Sequence, residues 1–90
     1  MGKRLVTVSI VMVLAAGMAQ AAGDVDAGKA KSATCLACHG PDGNSPNPIW
    51  PKLAGQHPVY IIKQLQAFKS GDRKNDLMSP MATPLTDEDI

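Results

Sequence analysis

Cys35-Leu36-Ala37-Cys38-His39 is the stretch on which the reading of this chain turns. It gathers both cysteines and one of the two histidines of a 90-residue chain into five consecutive positions. Four chemistries use cysteines at this spacing. A zinc site needs four ligands, and beyond these three residues only His57 or a carboxylate could complete it. A redox C-x-x-C opens a helix in a βαβ setting, and no strand pattern precedes Cys35. A disulfide across a two-residue gap is strained and gives His39 no role. The pattern C-x-x-C-H is also the attachment motif of a c-type haem: two thiols add to vinyl groups on adjacent corners of the macrocycle, and the imidazole that follows sits beneath the iron. That reading uses all three residues and makes His39 the proximal ligand.

The composition points the same way. With 44% hydrophobic and 19% charged residues the chain is a folding sequence, and its length allows one small domain. Aromatic residues make up only 3%, one each of Trp, Tyr and Phe. Large aromatics supply much of a small core, so an additional source of buried apolar surface is expected, and a flat apolar cofactor provides one. The formal net charge of +1, with no Lys/Arg cluster interleaved with aromatics, excludes a nucleic-acid module driven by a broad basic field.

Residues 1–21 have the layout of a secretory signal peptide: Lys3 and Arg4, an apolar run from Leu5 to Ala16 broken only by Thr7 and Ser9, then Ala19-Gln20-Ala21. Cleavage is expected after Ala21, with an uncleaved leader as the alternative. The run is shorter than the roughly 17–25 apolar residues of a spanning helix. Export places the folded part outside the cytoplasm, most simply in a bacterial periplasm. Without the leader, seven basic and eight acidic residues remain, a formal charge of −1, and of five methionines only Met78 and Met81.

Residues 22–90 divide into helices and loops. Asp24 and Asp26 offer N-cap carboxylates for a helix over 27–37, in which Gly28 marks either a close helix approach or a neutral surface position. Four Pro and three Gly between Gly40 and Gln56 dictate a long loop, with Ile49, Trp50 and Leu53 as its apolar residues. Pro58 at N1, the Ile61, Leu65 and Phe68 face, and Gly71 as a stop define a helix over 58–70. A second loop follows. Thr86 then caps Asp87-Glu88-Asp89, with Leu85 and Ile90 placed as a hydrophobic staple, so a third helix is expected to begin there. One turn cannot stand as a helix by itself, so the expectation is a domain lacking its C-terminal helix.

His57, Met78 and Met81 are the candidates for the sixth position on the iron. A thioether is favoured, because soft sulfur stabilises ferrous iron and raises the reduction potential. The other methionine then serves as core filler.

Taken together, these motifs resemble the class I c-type cytochromes, and within them the bacterial cytochrome c4/c553 group. The resemblance rests on Cys35 to Ser45, on Pro51-Lys-Leu-Ala-Gly-Gln56, and on Tyr60 with Gln64-Leu65 and Phe68-Lys-Ser-Gly71. It continues through Met78-Ser-Pro-Met81 and Leu85 to Ile90. It implies an all-α cytochrome c fold, three or more helices around a covalently bound haem c. Cys35 and Cys38 match the thioether cysteines and His39 the proximal ligand. Met78 matches the distal ligand, with Met81 as its packing neighbour and the alternative ligand. Pro51 matches the proline whose carbonyl accepts the His39 Nδ1 proton. Leu53 and Trp50 match pocket residues on or near the haem, and His57 an N-cap neighbour.

The function implied is electron transfer by Fe(II)/Fe(III) cycling, with no catalytic residue. Partners of the kind expected are a membrane quinol-oxidising complex and a terminal oxidase, with Lys52 and the 40–55 loop as contact surface and room for peripheral membrane association. One alternative is a haem domain of a larger dihaem cytochrome c4 or of an oxidase or dehydrogenase complex. Another is catalysis or gas binding at the iron, which requires Met78 to leave.

Overall fold

A single carboxylate starts the first helix of the computed structural model, which describes residues 2–11 and 23–90. Asp24 Oδ1 accepts from the amides of Asp26 and Ala27 at 3.0 and 3.1 Å, taking two N–H groups that have no carbonyl partner at a helix start. The chain then runs through α1 (Val25–Lys31), α2 (Ala33–His39), α3 (Pro58–Ser70) and α4 (Met78–Ala82), with no strand among the described residues. The all-α expectation therefore holds.

The expected helix over 27–37 is corrected at both ends, since it runs on to His39, and in its middle. It starts earlier, at Val25, and it is broken at Ser32 into α1 and α2. Ser32 Oγ donates to the Lys29 carbonyl at 2.9 Å, a local side-chain bond that competes with the helical ladder. After the break the ladder resumes with Cys35 N donating to Ser32 O at 2.8 Å. α2 ends at His39, followed by Gly40 at φ +87°. Gly28 is a surface position: a Cβ there would meet nothing within 4 Å.

The second helix matches its expected span. Pro58 is at N1, Gly71 is left-handed at φ +87°, and the Gly71 amide closes on the Ala67 carbonyl. Phe68 is buried on the expected face, with Ile61 and Leu65 half-buried beside it. Arg73 lies over the Phe68 ring at 4.5 Å and donates to Gln64 Oε1 at 2.6 Å, closing the outer side of that residue.

α4 lies where a loop was expected, and it packs on α3. Ala82 is fully enclosed, and Lys69 Nζ donates to the Leu85 carbonyl to hold the segment after α4 against the end of α3. The expected third helix appears as its capping box and one turn. Thr86 N donates to Asp89 Oδ2 at 2.9 Å and Asp89 N to Thr86 Oγ1 at 3.1 Å, while Ile90 N reaches Thr86 O. The Lys31 ammonium, 3.5 Å from Asp89, joins this turn to α1.

The core is small: Phe68 and Ala82 are the buried apolar residues among those described, with His39 the buried polar one. The leader reading, including cleavage after Ala21, falls largely on residue 1 and residues 12–22, outside the described residues. Residues 2–11 form neither helix nor strand, and Leu5, Val6, Val8, Ile10 and Val11 are exposed. No helix among the described residues is long and apolar enough to cross a membrane.

Candidate haem site

α2 puts Cys35 and Cys38 three residues apart, so they occupy neighbouring positions on one face. Both thiols are free and half-buried. His39 ends the same helix with its side chain buried to 7% exposure. Its Nδ1 is 2.8 Å from the carbonyl oxygen of Pro51. A carbonyl can only accept, so Nδ1 carries the proton and Nε2 keeps the lone pair that binds a metal. The expected partnership of His39 and Pro51 is therefore present in the structure.

The loop between them is ordered by bonds that few of its residues advertise. The Gly43 carbonyl accepts from both Leu53 N and Ala54 N, at 2.9 and 3.0 Å, folding the far arm of the loop onto the near one. Gly43 is left-handed at φ +80°, and a Cβ on it would lie 3.0 Å from Ala54 N. Gly40 is tighter still, since a Cβ there would lie 2.4 Å from Asn44 O. The Ser45 hydroxyl donates to Asn47 O at 2.7 Å and lies 3.3 Å from Cys38 O, joining the loop to the cysteine helix. Asn47 Oδ1 then accepts from Ile49 N, and Asn47 O from Trp50 N. Asp42 turns the tip: its carboxyl is held below the usual carboxylate range chiefly by hydrogen bonding to Asn44.

Trp50 and Leu53 are both half-buried, while Lys52 between them and Pro51 itself are exposed. The Trp50 indole Nε1 is enclosed with no hydrogen-bond partner among the described residues. An unpaired buried donor costs about 1–3 kcal/mol, and a haem carboxylate is an acceptor of the kind it lacks. His57 is the exposed N-cap of α3 and makes no side-chain cap bond.

The two methionines are in different settings. Met78 opens α4 and is half-buried, whereas Met81 is 44% exposed and lines a cleft with Ala30, Lys31, Thr34, Pro84 and Leu85. Asn75 is the residue that sequence reading missed. Its Oδ1 accepts from Leu77 N and Met78 N, each at 2.9 Å. An Asn three positions before a methionine is N-cap spacing, a signal that the sequence carries.

The chemistry of the donor set fits a haem. It comprises two free thiols, an imidazole held with its Nε2 as a base, and soft sulfur on a separate segment. Zinc fits poorly, because among the described residues no three His, Cys, Asp or Glu side chains converge as a ligand set.

Comparison with known proteins agrees with this geometry. The family model described as Cytochrome c matches residues 25–90. Cytochrome c4 of Thiocapsa roseopersicina is 64% identical over 69 residues, covering 76% of this chain and 35% of that protein. Cytochrome c4 of Pseudomonas aeruginosa is 49% identical over 90 residues, covering the whole chain and 44% of that protein. Cytochrome c-554(548) of Halomonas halodenitrificans is 49% identical over 72 residues, covering 77% of the chain and 87% of that protein. The chain thus spans less than half the length of the two cytochrome c4 relatives and most of the length of the shorter one. An all-α chain that ends its cysteine helix on a carbonyl-tethered histidine, and matches these proteins over that region, belongs to the cytochrome c family, in its c4 group, and its cofactor is covalently bound haem c.

Proposed function

We propose that this chain is a one-electron carrier, with Cys35 and Cys38 holding the haem, His39 as proximal ligand and Met78 as distal ligand. The observation that carries the reading is the 2.8 Å bond from His39 Nδ1 to Pro51 O at the end of the cysteine helix. Haem c supplies a reversible Fe(III)/Fe(II) couple. Cys35 and Cys38 would hold the haem through thioether bonds, an addition of each S–H across a vinyl group that would need no external oxidant or reductant. The Pro51 carbonyl fixes the tautomer and orientation of His39 and raises its basicity. With His39 and Met78 both holding the iron, no ligand position would remain for a substrate, which would favour transport of electrons over catalysis.

Docking to redox partners, a membrane quinol-oxidising complex on one side and a terminal oxidase on the other, uses the exposed Lys52 and the rim of the 40–55 loop. Charge there governs association rate and salt dependence more than affinity. Residues 1–21 act as the export signal and 22–90 as the periplasmic haem domain. The exposed apolar residues between Leu5 and Val11, which join no core, support that division. A second reading, one haem domain of a dihaem chain, is favoured by the greater length of the c4 relatives. The haem-to-polypeptide ratio of the whole gene product separates the two.

The test of the carrier reading is spectroscopic. The haem-loaded protein should titrate reversibly as a one-electron couple, show a sulfur-to-iron charge-transfer band when ferric, and bind CO slowly when ferrous. Rapid CO binding by the native protein would overturn it in favour of gas binding or catalysis.

A further inference from the structure

We propose that Asn75 is a positioning residue for the distal ligand, its side chain setting the turn that presents Met78. The inference rests on Met78 being that ligand, as read above. The hydrogen bonding of α4 begins ahead of Met78–Ala82. Ser79 N donates to Asn75 O at 2.9 Å, while Asn75 Oδ1 accepts from Leu77 N and Met78 N. The Ser79 hydroxyl closes the motif by accepting from Asn75 N at 3.0 Å. Asn75 therefore behaves as an N-cap. Its carbonyl takes the first helical bond and its side chain takes two amides that would otherwise have no partner. One of those amides belongs to Met78 itself, so the cap acts on the backbone from which the thioether is hung.

The segment needs such help. α4 has five residues, too few to be stable from its own propagation, and Pro80 within it lacks an N–H. Besides the backbone bond from Thr83 N to Ser79 O, side chains brace the segment and the residues after it: Thr83 Oγ1 donates to Ser79 O at 2.7 Å, and Lys69 Nζ donates to Leu85 O. Of these, only Asn75 bonds the amide of Met78. Loss of its cap should raise the fraction of protein in which Met78 is off the iron, and an added ligand reads that fraction directly.

The experiment measures imidazole binding to the ferric haem-loaded protein together with the sulfur-to-iron charge-transfer band. In Asn75→Ala the apparent imidazole affinity should rise about 2- to 30-fold, the range spanned by loss of an N-cap. Asn75→Asp retains the acceptor oxygen and should behave as the parent. Asp24→Ala removes the equivalent cap from α1 and should leave imidazole affinity unchanged. If Asn75→Ala does not load haem, Ser79→Ala, which removes only the returning bond, should still give a smaller rise.

Parent-like imidazole binding in a haem-loaded Asn75→Ala, or in Ser79→Ala where that variant stands in for it, overturns the positioning role. So does an equal rise in Asp24→Ala, which would mark a global effect. Met78→Ala separates this failure from that of the underlying reading. If it keeps the charge-transfer band and parent-like imidazole affinity, Met78 is not the ligand and the role of Asn75 falls with it.

Discussion

His39 and Pro51 are bonded through Nδ1–H and a backbone carbonyl at 2.8 Å across a separation of 12 residues. The bond is specific to a backbone position, so its integrity depends on how the loop closes rather than on any acceptor side chain. That closure passes through Gly43, which accepts from Leu53 and Ala54, and through Gly40, which lets the chain turn out of α2.

The glycines should therefore differ in a graded way when changed to alanine. Gly71→Ala places a Cβ in open space and carries only the left-handed strain, about 1–2 kcal/mol. Gly40→Ala adds a clash with Asn44 O at 2.4 Å and should be markedly more destabilising, with Gly43→Ala between them. Thermal denaturation of the haem-loaded variants and their haem content rank the three. Equal losses at Gly40 and Gly71 would contradict the close approach seen here.

The methionines should separate in a redox titration. Met78→Ala should lower the reduction potential and let the ferrous protein bind CO rapidly, because hard or open coordination disfavours ferrous iron relative to a thioether. Met81→Ala, at a partly exposed cleft position, should do neither. The reverse pattern would assign the ligand to Met81.

Covalent attachment is checked by chemistry rather than by spectra. Replacing Cys35 and Cys38 together by Ala should leave any bound haem extractable into acidified organic solvent, whereas in the parent it stays with the polypeptide. Haem retained by the double variant after extraction would contradict attachment through these thiols.

Acid should loosen the turn at Thr86. The Asp89 carboxyl is held below the usual carboxylate range by the Thr86 amide first, with the Thr86 hydroxyl and Lys31 also favouring the charged form. A carboxyl depressed on folding contributes stability above its unfolded value and loses it as pH falls through its lower folded value. The stability advantage of the parent over Asp89→Asn should therefore be full at neutral pH and be lost progressively in strong acid, as pH falls through the lowered folded value. A difference between the two acid-unfolding curves that stays constant with pH would contradict this.

What was legible in the sequence is what a few neighbouring residues decide among themselves. Asp24 as a cap, Pro58 and Gly71 as the limits of α3, the Thr86 and Asp89 box, and the spacing of Cys35, Cys38 and His39 all act within one or two turns. Even locally there were conflicts that pattern could not arbitrate. The Ser32 hydroxyl could have faced solvent, yet it bonds back to Lys29 and divides one expected helix into two. Around Asn75 a loop was expected, and the structure instead has α4 packed on α3 with Ala82 buried.

By itself, then, the sequence determined the helical class, the cysteine and histidine chemistry and the limits of α3, since hydrogen bonds between near neighbours need no knowledge of the rest of the chain. Only the tertiary structure decided that α2 extends to His39, that the Pro51 carbonyl meets its Nδ1, and that the amide of Met78 is bonded by the Asn75 side chain. Those features depend on closing loops and packing α4 on α3, where the conformational entropy of the intervening residues must be offset by contacts between groups far apart in sequence.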